Sequence, residues 1–352
     1  MVALSHLCRT SSSCCHTGVR VLVACSLLAV ILPAGRAQSL SVPNASSESP
    51  STGFVNTNID SWQKEPQSAS FQQTSGYTWS QLAGVFANTA PGKSDHITNL
   101  DGNQAAYLFA ISEAGISQDY NTTDWQNLPP THAFNVVFEL GKSYAFTVGI
   151  NGGGGNMLPG ATLLLAVYYR DAGGNRVTVA STTVVYSAAM FPNHTALVDF
   201  QVNVPVVKPG DAWLGQQMGI LIYSSVTPAL QGGYWDLDNV RLTAAAGSPF
   251  PVAISRGNNS VNLSWPSVSG YEYQVQTSAD LQTWLPYQSP IDGTGNPLAV
   301  NYSTTGLASA FFRVQVTQAT QSGNALPQSA RNFLEAGPTA HRPVKVIRRN
   351  RR

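Results

Sequence analysis

Two carboxylates two residues apart, Asp236 and Asp238, lie inside the stretch GGYWDLDNVRL, residues Gly232 to Leu242. The apolar alternation near its end reads as a β-strand. At period two, Tyr234, Asp236 and Asp238 would share a face with Val240 and Leu242. A carboxylate in line with core positions costs several kcal/mol or gives up its charge, unless something compensates it. A bound cation is one such compensation, because calcium takes about six to eight hard oxygen ligands. The other is local: Asp236 in water at the strand mouth, and Asp238 accepting backbone N–H groups.

A second set of residues suits ligand binding. Trp62, Tyr77, Trp79, Phe86, Tyr107, Tyr120 and Trp125 fall in the loop-rich first part of the chain, and SDHITNLDGNQAAYLF (Ser94 to Phe109) adds polar side chains beside Tyr107. Sugar rings stack C–H faces on aromatic rings, while Asn, Gln and Asp bind their hydroxyls. The candidate ligand-binding residues are Trp79, Asp101, Asn103, Tyr107 and Trp125. Half or more of the aromatics are expected to pack the core or its loops.

Other chemistry is missing from the sequence. It holds no H-E-x-x-H and no G-x-S-x-G motif. NGGGGN (Asn151 to Asn156) lacks the Lys-Ser/Thr of a phosphate loop and reads as a hairpin loop. His96, His132, His194 and His341 are scattered, without a second His at ligand spacing. No acid carries a glycosidase signature. Six N-x-S/T sequons begin at Asn44, Asn121, Asn193, Asn258, Asn262 and Asn301.

The elements that must position these residues are strands. Charged residues make up only 11% of the 352-residue chain, and Gly, Ser, Thr, Asn, Val and Tyr suit strands joined by turns. Strands are expected over Ala133–Leu140, Ser143–Ile150, Ala161–Tyr169, Arg176–Tyr186, Ala196–Val204 and Met218–Ser224. The fold class is all-β: a jelly-roll sandwich over 38–245. AAAGSPFP (Ala244 to Pro251) reads as a linker to a smaller β-sandwich-like module over 249–317, with strands in SVNLSW, YEYQVQTS, DLQTWLPY and AFFRVQV and Trp265 as core anchor. Residues 318–352 form a polar tail with a basic end, RPVKVIRRNRR.

Residues 1–37 read as a secretory signal: Arg9 and Arg20 precede an apolar run, Val21 to Pro33, too short to span a membrane comfortably, and small residues follow up to Ala37. All four cysteines lie in this segment, so the mature chain would hold no disulfide. The expected location is extracellular or at the cell surface, with no transmembrane segment after cleavage. Residues 38–341 carry 10 basic and 18 acidic side chains, a net of about −8. That balance argues against nucleic acid as a partner.

VPNASSESP (Val42 to Pro50) and YWDLDNVRL together resemble the galactose-binding-like jelly rolls of bacterial carbohydrate-binding modules, which open with Asn-Pro-x-Phe-Glu and close with Asp-x-Val-x-Leu. Ala45 and Ser47 depart from that opening pattern. The resemblance implies a structural calcium between Glu48 and Asp238, with Asp236 as a further ligand. VNLSWPSVSGYEYQVQTSADLQTW resembles short fibronectin-III-like modules of secreted bacterial proteins. The function implied first is non-catalytic recognition of a polysaccharide or glycan. The same jelly-roll family includes calcium-bound cyclases acting on small aromatic molecules, and an aromatic-lined pocket with one convergent Asp or Glu would mark that alternative. A third reading is a structural or adhesion protein.

Overall fold

The computed structural model describes residues 37–73, 76–122, 134–306 and 310–318. The cysteine-bearing leader, Trp125, His132 and the basic tail lie outside the described residues. No described helix is long and apolar enough to cross a membrane.

Among the described residues, twelve strands build the first module: β1 (Gln38–Leu40), β2 (Val55–Asn56), β3 (Gln63–Lys64), β4 (Ala83–Ala87), β5 (Gln104–Phe109), β6 (Gly115–Gln118), β7 (Lys142–Gly154), β8 (Thr162–Arg170), β9 (Arg176–Val185), β10 (Val198–Val204), β11 (Met218–Ser224) and β12 (Tyr234–Ala246). One sheet runs β10-β7-β12-β5-β4-β2, with β1 also paired to β12; the other runs β3-β6-β11-β8-β9. The pairings are antiparallel. The fold is therefore the expected all-β sandwich. Its core includes Trp62, Leu108, Phe146, Ile150, Leu165, Ile220, Trp235 and Leu242. Each such large side chain contributes about 1.5–3 kcal/mol by leaving water.

Seven strands of the described residues form the second module: β13 (Ala253–Arg256), β14 (Ser260–Trp265), β15 (Tyr271–Ser278), β16 (Leu285–Pro286), β17 (Ile291–Asp292), β18 (Leu298–Ser303) and β19 (Phe311–Gln318). They make sheets β13-β14-β18 and β16-β15-β17, the latter extended by β19 on β15. Phe250, Leu263, Trp265, Tyr273, Val275 and Val300 form a separate core.

Four local expectations differ from the structure. Phe134–Leu140 is not a strand: it makes one isolated bridge, Val137 to Gln217, and Phe134 and Phe138 are buried while Val137 is exposed. Ala244–Ala246 belong to β12, paired with Tyr144, Ser143 and Lys142, so the connecting segment starts at Gly247. In DLQTWLPY only Leu285 and Pro286 are strand, because Asp280 Oδ1 accepts the N–H groups of Gln282 and Thr283 and holds a turn. NGGGGN is no hairpin loop at its start, since β7 continues to Gly154.

The last difference reshapes the site. Between Tyr234/Asp236 and Gly154/Asn151, β7 carries one extra residue; between Asp238/Arg241 and Gly149/Thr147, β12 carries one. These are β-bulges, which shift the inward and outward faces by one position. Gly153 (φ +100°) and Asn239 (φ +53°) take the left-handed conformations within them. Trp235 and Leu237 point into the core before the second bulge, and Val240 and Leu242 after it. Asp236 and Asp238 therefore do not share a face with Val240 and Leu242; they point to the outer side of the sheet.

Candidate active site and cation cradle

Asp238 lies at the bulge and is completely buried. Its Oδ2 accepts the Asp101 N–H at 2.7 Å, and its Oδ1 is buried with no partner. Beside it, Glu48 Oε1 accepts the N–H groups of Asn103 and Gln104, both at 2.7 Å. Gly102 (φ +105°) lies against the Glu48 carboxyl so closely that a Cβ would collide with it. The N-terminal loop is clamped to the strand by Val240 N–H donating to Ala45 C=O at 3.1 Å. Ser47 and Asn44 take positive φ values there, 55° and 49°. Asn44 is held by its own side chain, which donates to the carbonyls of Ser49 and Asp60.

Burial pushes the Asp238 carboxyl up to about 7, against backbone N–H groups of Asp101 and Asn239 that favour the anion; the charges of Asp101 and Glu48 add to the rise. Among the described residues, no Lys, Arg or His makes an ion pair with Glu48 or Asp238. Two carboxylates, one with an orphaned oxygen, are hard oxygen donors of the kind calcium takes. Among the described residues no group of three or more His, Cys, Asp and Glu side chains converges, so the expected third ligand, Asp236, is not gathered with them.

Asp236, two residues earlier, has different surroundings. It is 8% exposed and is opposed across the sheet by Tyr107 on β5 and Asn151 on β7. Asn151 Nδ2 donates to Asp236 Oδ2 at 3.1 Å. Desolvation raises the Asp236 carboxyl to about 7, with the Asn151 bond opposing. Rings gather on the same side of the sheet. Phe109 lies 5.9 Å from Tyr107, 5.0 Å from Tyr77 and 6.1 Å from Tyr234, centroid to centroid. Tyr107 is raised to about 12 by burial and by Tyr77. Tyr234 is raised by burial and by the nearby charges of Asp236 and Asp95. Gly84 faces Tyr107 in the neighbouring strand, and a Cβ there would come within 2.7 Å of the Tyr107 hydroxyl. The glycines of β7 likewise leave room for Trp235, Tyr186, His194 and Tyr234.

The expected ligand-binding set is thus divided. Tyr107 joins Asp236. Asp101 and Asn103 are exposed, but their backbone N–H groups serve the Glu48–Asp238 cradle instead. Trp79 sits in a 3-10 turn (Trp79–Leu82); its ring packs on Phe71 and its Nε1 donates to Glu65 C=O at 2.7 Å. Trp125 lies outside the described residues. Sequence reasoning placed Tyr77 in the wider aromatic set but did not nominate Asn151, Phe109 or Tyr234 for the site. The signal available was that Tyr107 and Phe109 have period-two spacing, as do Tyr234 and Asp236.

Among solved structures, the chain is similar to the Stig cyclase Fisc from Fischerella sp. TAU in complex with (3Z)-3-(1-methyl-2-pyrrolidinylidene)-3H-indole: 22% identity, TM-score 0.41, 60% of this chain and 100% of that one. A further cyclase structure from Fischerella sp. TAU gives 21% identity and TM-score 0.42 over 60% and 99% of the two chains. The CBM22-1 xylan-binding domain from Paenibacillus barcinonensis gives 14% identity and TM-score 0.30 over 61% and 97%. No curated protein matches the chain. The model of the HpiC1-like family, described as HpiC1 cyclase, matches residues 38–243. With more than half of its length matched in this way, the chain belongs to the HpiC1-like family.

Proposed function

We propose that this chain is a cyclase-type enzyme acting on a small aromatic molecule, with Asp236 as its general acid. The observation that carries this reading is one buried carboxyl, without an ion-pair partner among the described residues, beside the rings of Tyr77, Tyr107, Phe109 and Tyr234. Family membership supports the reaction class. A carboxyl kept neutral by burial donates a proton to an unsaturated carbon of the substrate. The positive charge that develops is attracted to the negative faces of the surrounding rings. A carbon–carbon bond closes, a proton is lost, and the product is an isomer of the substrate. Half-exposed Tyr77 and Tyr234 both pack on Phe109 and would offer ring faces and edges to a planar aromatic substrate.

Calcium, when bound at Glu48 and Asp238, would supply positive charge that lets both carboxylates stay ionised next to the core. Asp238 of the cradle and Asp236 lie on one strand, so a cation held there would also fix the segment that aims the acid. Glycan recognition has weaker support, because Trp79 packs on Phe71 and its Nε1 is taken by the Glu65 carbonyl. Export from the cell through residues 1–37 is part of the same proposal.

The indole bound in the Fisc structure supplies a first probe. Titrating (3Z)-3-(1-methyl-2-pyrrolidinylidene)-3H-indole into the protein should shift the ring proton signals of Tyr77, Phe109 and Tyr234. Indoles bearing a pendant alkene should then be turned over to isomers of unchanged mass. Failure of every aromatic compound to perturb these rings, while a soluble xylan or mannan does, would favour the glycan reading.

A further inference from the structure

Asn151 is 3% exposed, yet it stands at the outer face of β7 directly opposite Asp236. Both N–H groups of its amide have acceptors: Asp236 Oδ2 at 3.1 Å and His194 C=O at 3.0 Å. Turning the amide over would set Oδ1 against two acceptors, so its orientation is forced. The His194 carbonyl is itself fixed. His194 adopts φ +47°, and its ring Nδ1 bonds Gly152 C=O at 2.8 Å. A carbonyl only accepts, so Nδ1 carries the proton. Gly153, between them, must be glycine, because a Cβ would run into the His194 ring. Asn151 Oδ1 is left buried without a partner, a cost that a packing residue of similar shape would avoid.

We infer that Asn151 is a positioning residue for the acid: it occupies Oδ2 of Asp236, fixes the carboxyl plane, and leaves Oδ1 as the oxygen that delivers the proton. Oδ1 takes no hydrogen bond from a described residue, whereas Oδ2 is engaged by an amide whose other N–H is anchored on the His194 carbonyl. Leu is close to Asn in shape but has no donor, and Asp replaces the donor by an acceptor. This inference rests on the proposed acid role of Asp236, and two readouts keep them apart.

The first readout needs no substrate. Infrared spectra of protein carrying 13C-labelled Asp, taken as wild type minus Asp236→Asn, isolate the Asp236 carboxyl band. In Asn151→Leu that band should move to higher wavenumber, because a donor to the carboxyl has been removed. The second readout is turnover of the alkenyl indoles. Asn151→Leu and Asn151→Asp should lose about ten- to a hundredfold in kcat with KM near the wild-type value, since substrate packing is untouched while the acid is misaimed. Asn151→Ser, smaller and still a donor, should recover part of the kcat; it also serves if Asn151→Leu does not fold. An unmoved band in a folded Asn151→Leu or Asn151→Ala protein overturns the inference, as does a loss seen in KM alone. Full turnover by Asp236→Asn would instead overturn the acid role itself, whatever the band does.

Discussion

The backbone N–H of Asp101 reaches Oδ2 of Asp238 at 2.7 Å across 137 residues of sequence, while Oδ1 of the same carboxyl is buried and unpaired. One half of the group is satisfied by the chain and the other half is available to a cation. If calcium occupies that position, it binds the folded chain and stabilises it by RT ln(1 + [L]/Kd), about 2.7 kcal/mol at a hundredfold excess over Kd. Chelation should lower the melting temperature by several degrees. Asp238→Asn and Glu48→Gln should each remove most of that response, and Asp236→Asn should leave it largely intact. Differential scanning calorimetry with and without chelator checks all three.

The metal-free protein should have an unusual pH dependence. Asp236 and Asp238 titrate near 7 in the folded state, against about 3.9 in the unfolded chain. A carboxyl with a raised folded pKa favours folding when protonated. Its contribution is therefore complete below about pH 4 and is lost as pH rises toward and through 7. Urea titrations of chelated protein should show these two groups costing a few kcal/mol between pH 5 and 8, and added calcium should recover part of the loss at the upper end only. Equal stability across that range in Asp238→Asn and wild type would count against the assignment.

The glycine run of β7 makes a steric prediction. A Cβ at Gly152 would come within 2.7 Å of the Trp235 ring and 3.0 Å of Tyr186, and Trp235 is completely buried. Gly152→Ala should destabilise by about 1–3 kcal/mol through overpacking. Gly174→Ala has open space around it and only its positive φ to strain it, so about 1 kcal/mol is expected. Chemical denaturation of the two variants separates the causes.

On the other sheet, Asp119 Oδ2 accepts from Tyr168 Oη at 2.6 Å and from Arg170 Nε at 2.8 Å. Asp119 and Tyr168 are buried. Arg176 stacks 5.0 Å above the Tyr168 ring and pairs with Glu65 at 2.7 Å. Asp119→Ala strands a guanidinium and a hydroxyl away from most solvent and should cost about 3–5 kcal/mol. A loss under about 1 kcal/mol would mean that water compensates Arg170.

Much of the fold follows from period-two alternation and turn residues, which is why the strands Lys142–Gly154, Arg176–Val185 and Met218–Ser224 are largely legible in the residues alone. The faces of β12 are not. One extra residue at Asn239 reverses inside and outside, and nothing in YWDLDNVRL announces a bulge except an Asn that tolerates positive φ. The same holds for the start of NGGGGN, where Gly152 and Gly153 make room for the rings of Trp235, Tyr186 and His194, while the turn is confined to Gly155 and Asn156. Glu48 and Asp238 are 190 positions apart, so only the resemblance to a family joined them. Asp236, Asn151 and Tyr107 meet through sheet register, which a single sequence does not encode locally.

The acid role of Asp236 is decided by turnover of a 3-alkenylindole in deuterated water, with wild type and Asp236→Asn side by side. Wild type should give a cyclised isomer that has gained one deuterium, delivered by the exchanged carboxyl. The rate should fall by about 10²–10⁴-fold when that acid becomes an amide, with calcium-dependent stability retained. Cyclisation by Asp236→Asn at the wild-type rate, with the same deuterium content, would contradict a proton delivered by Asp236.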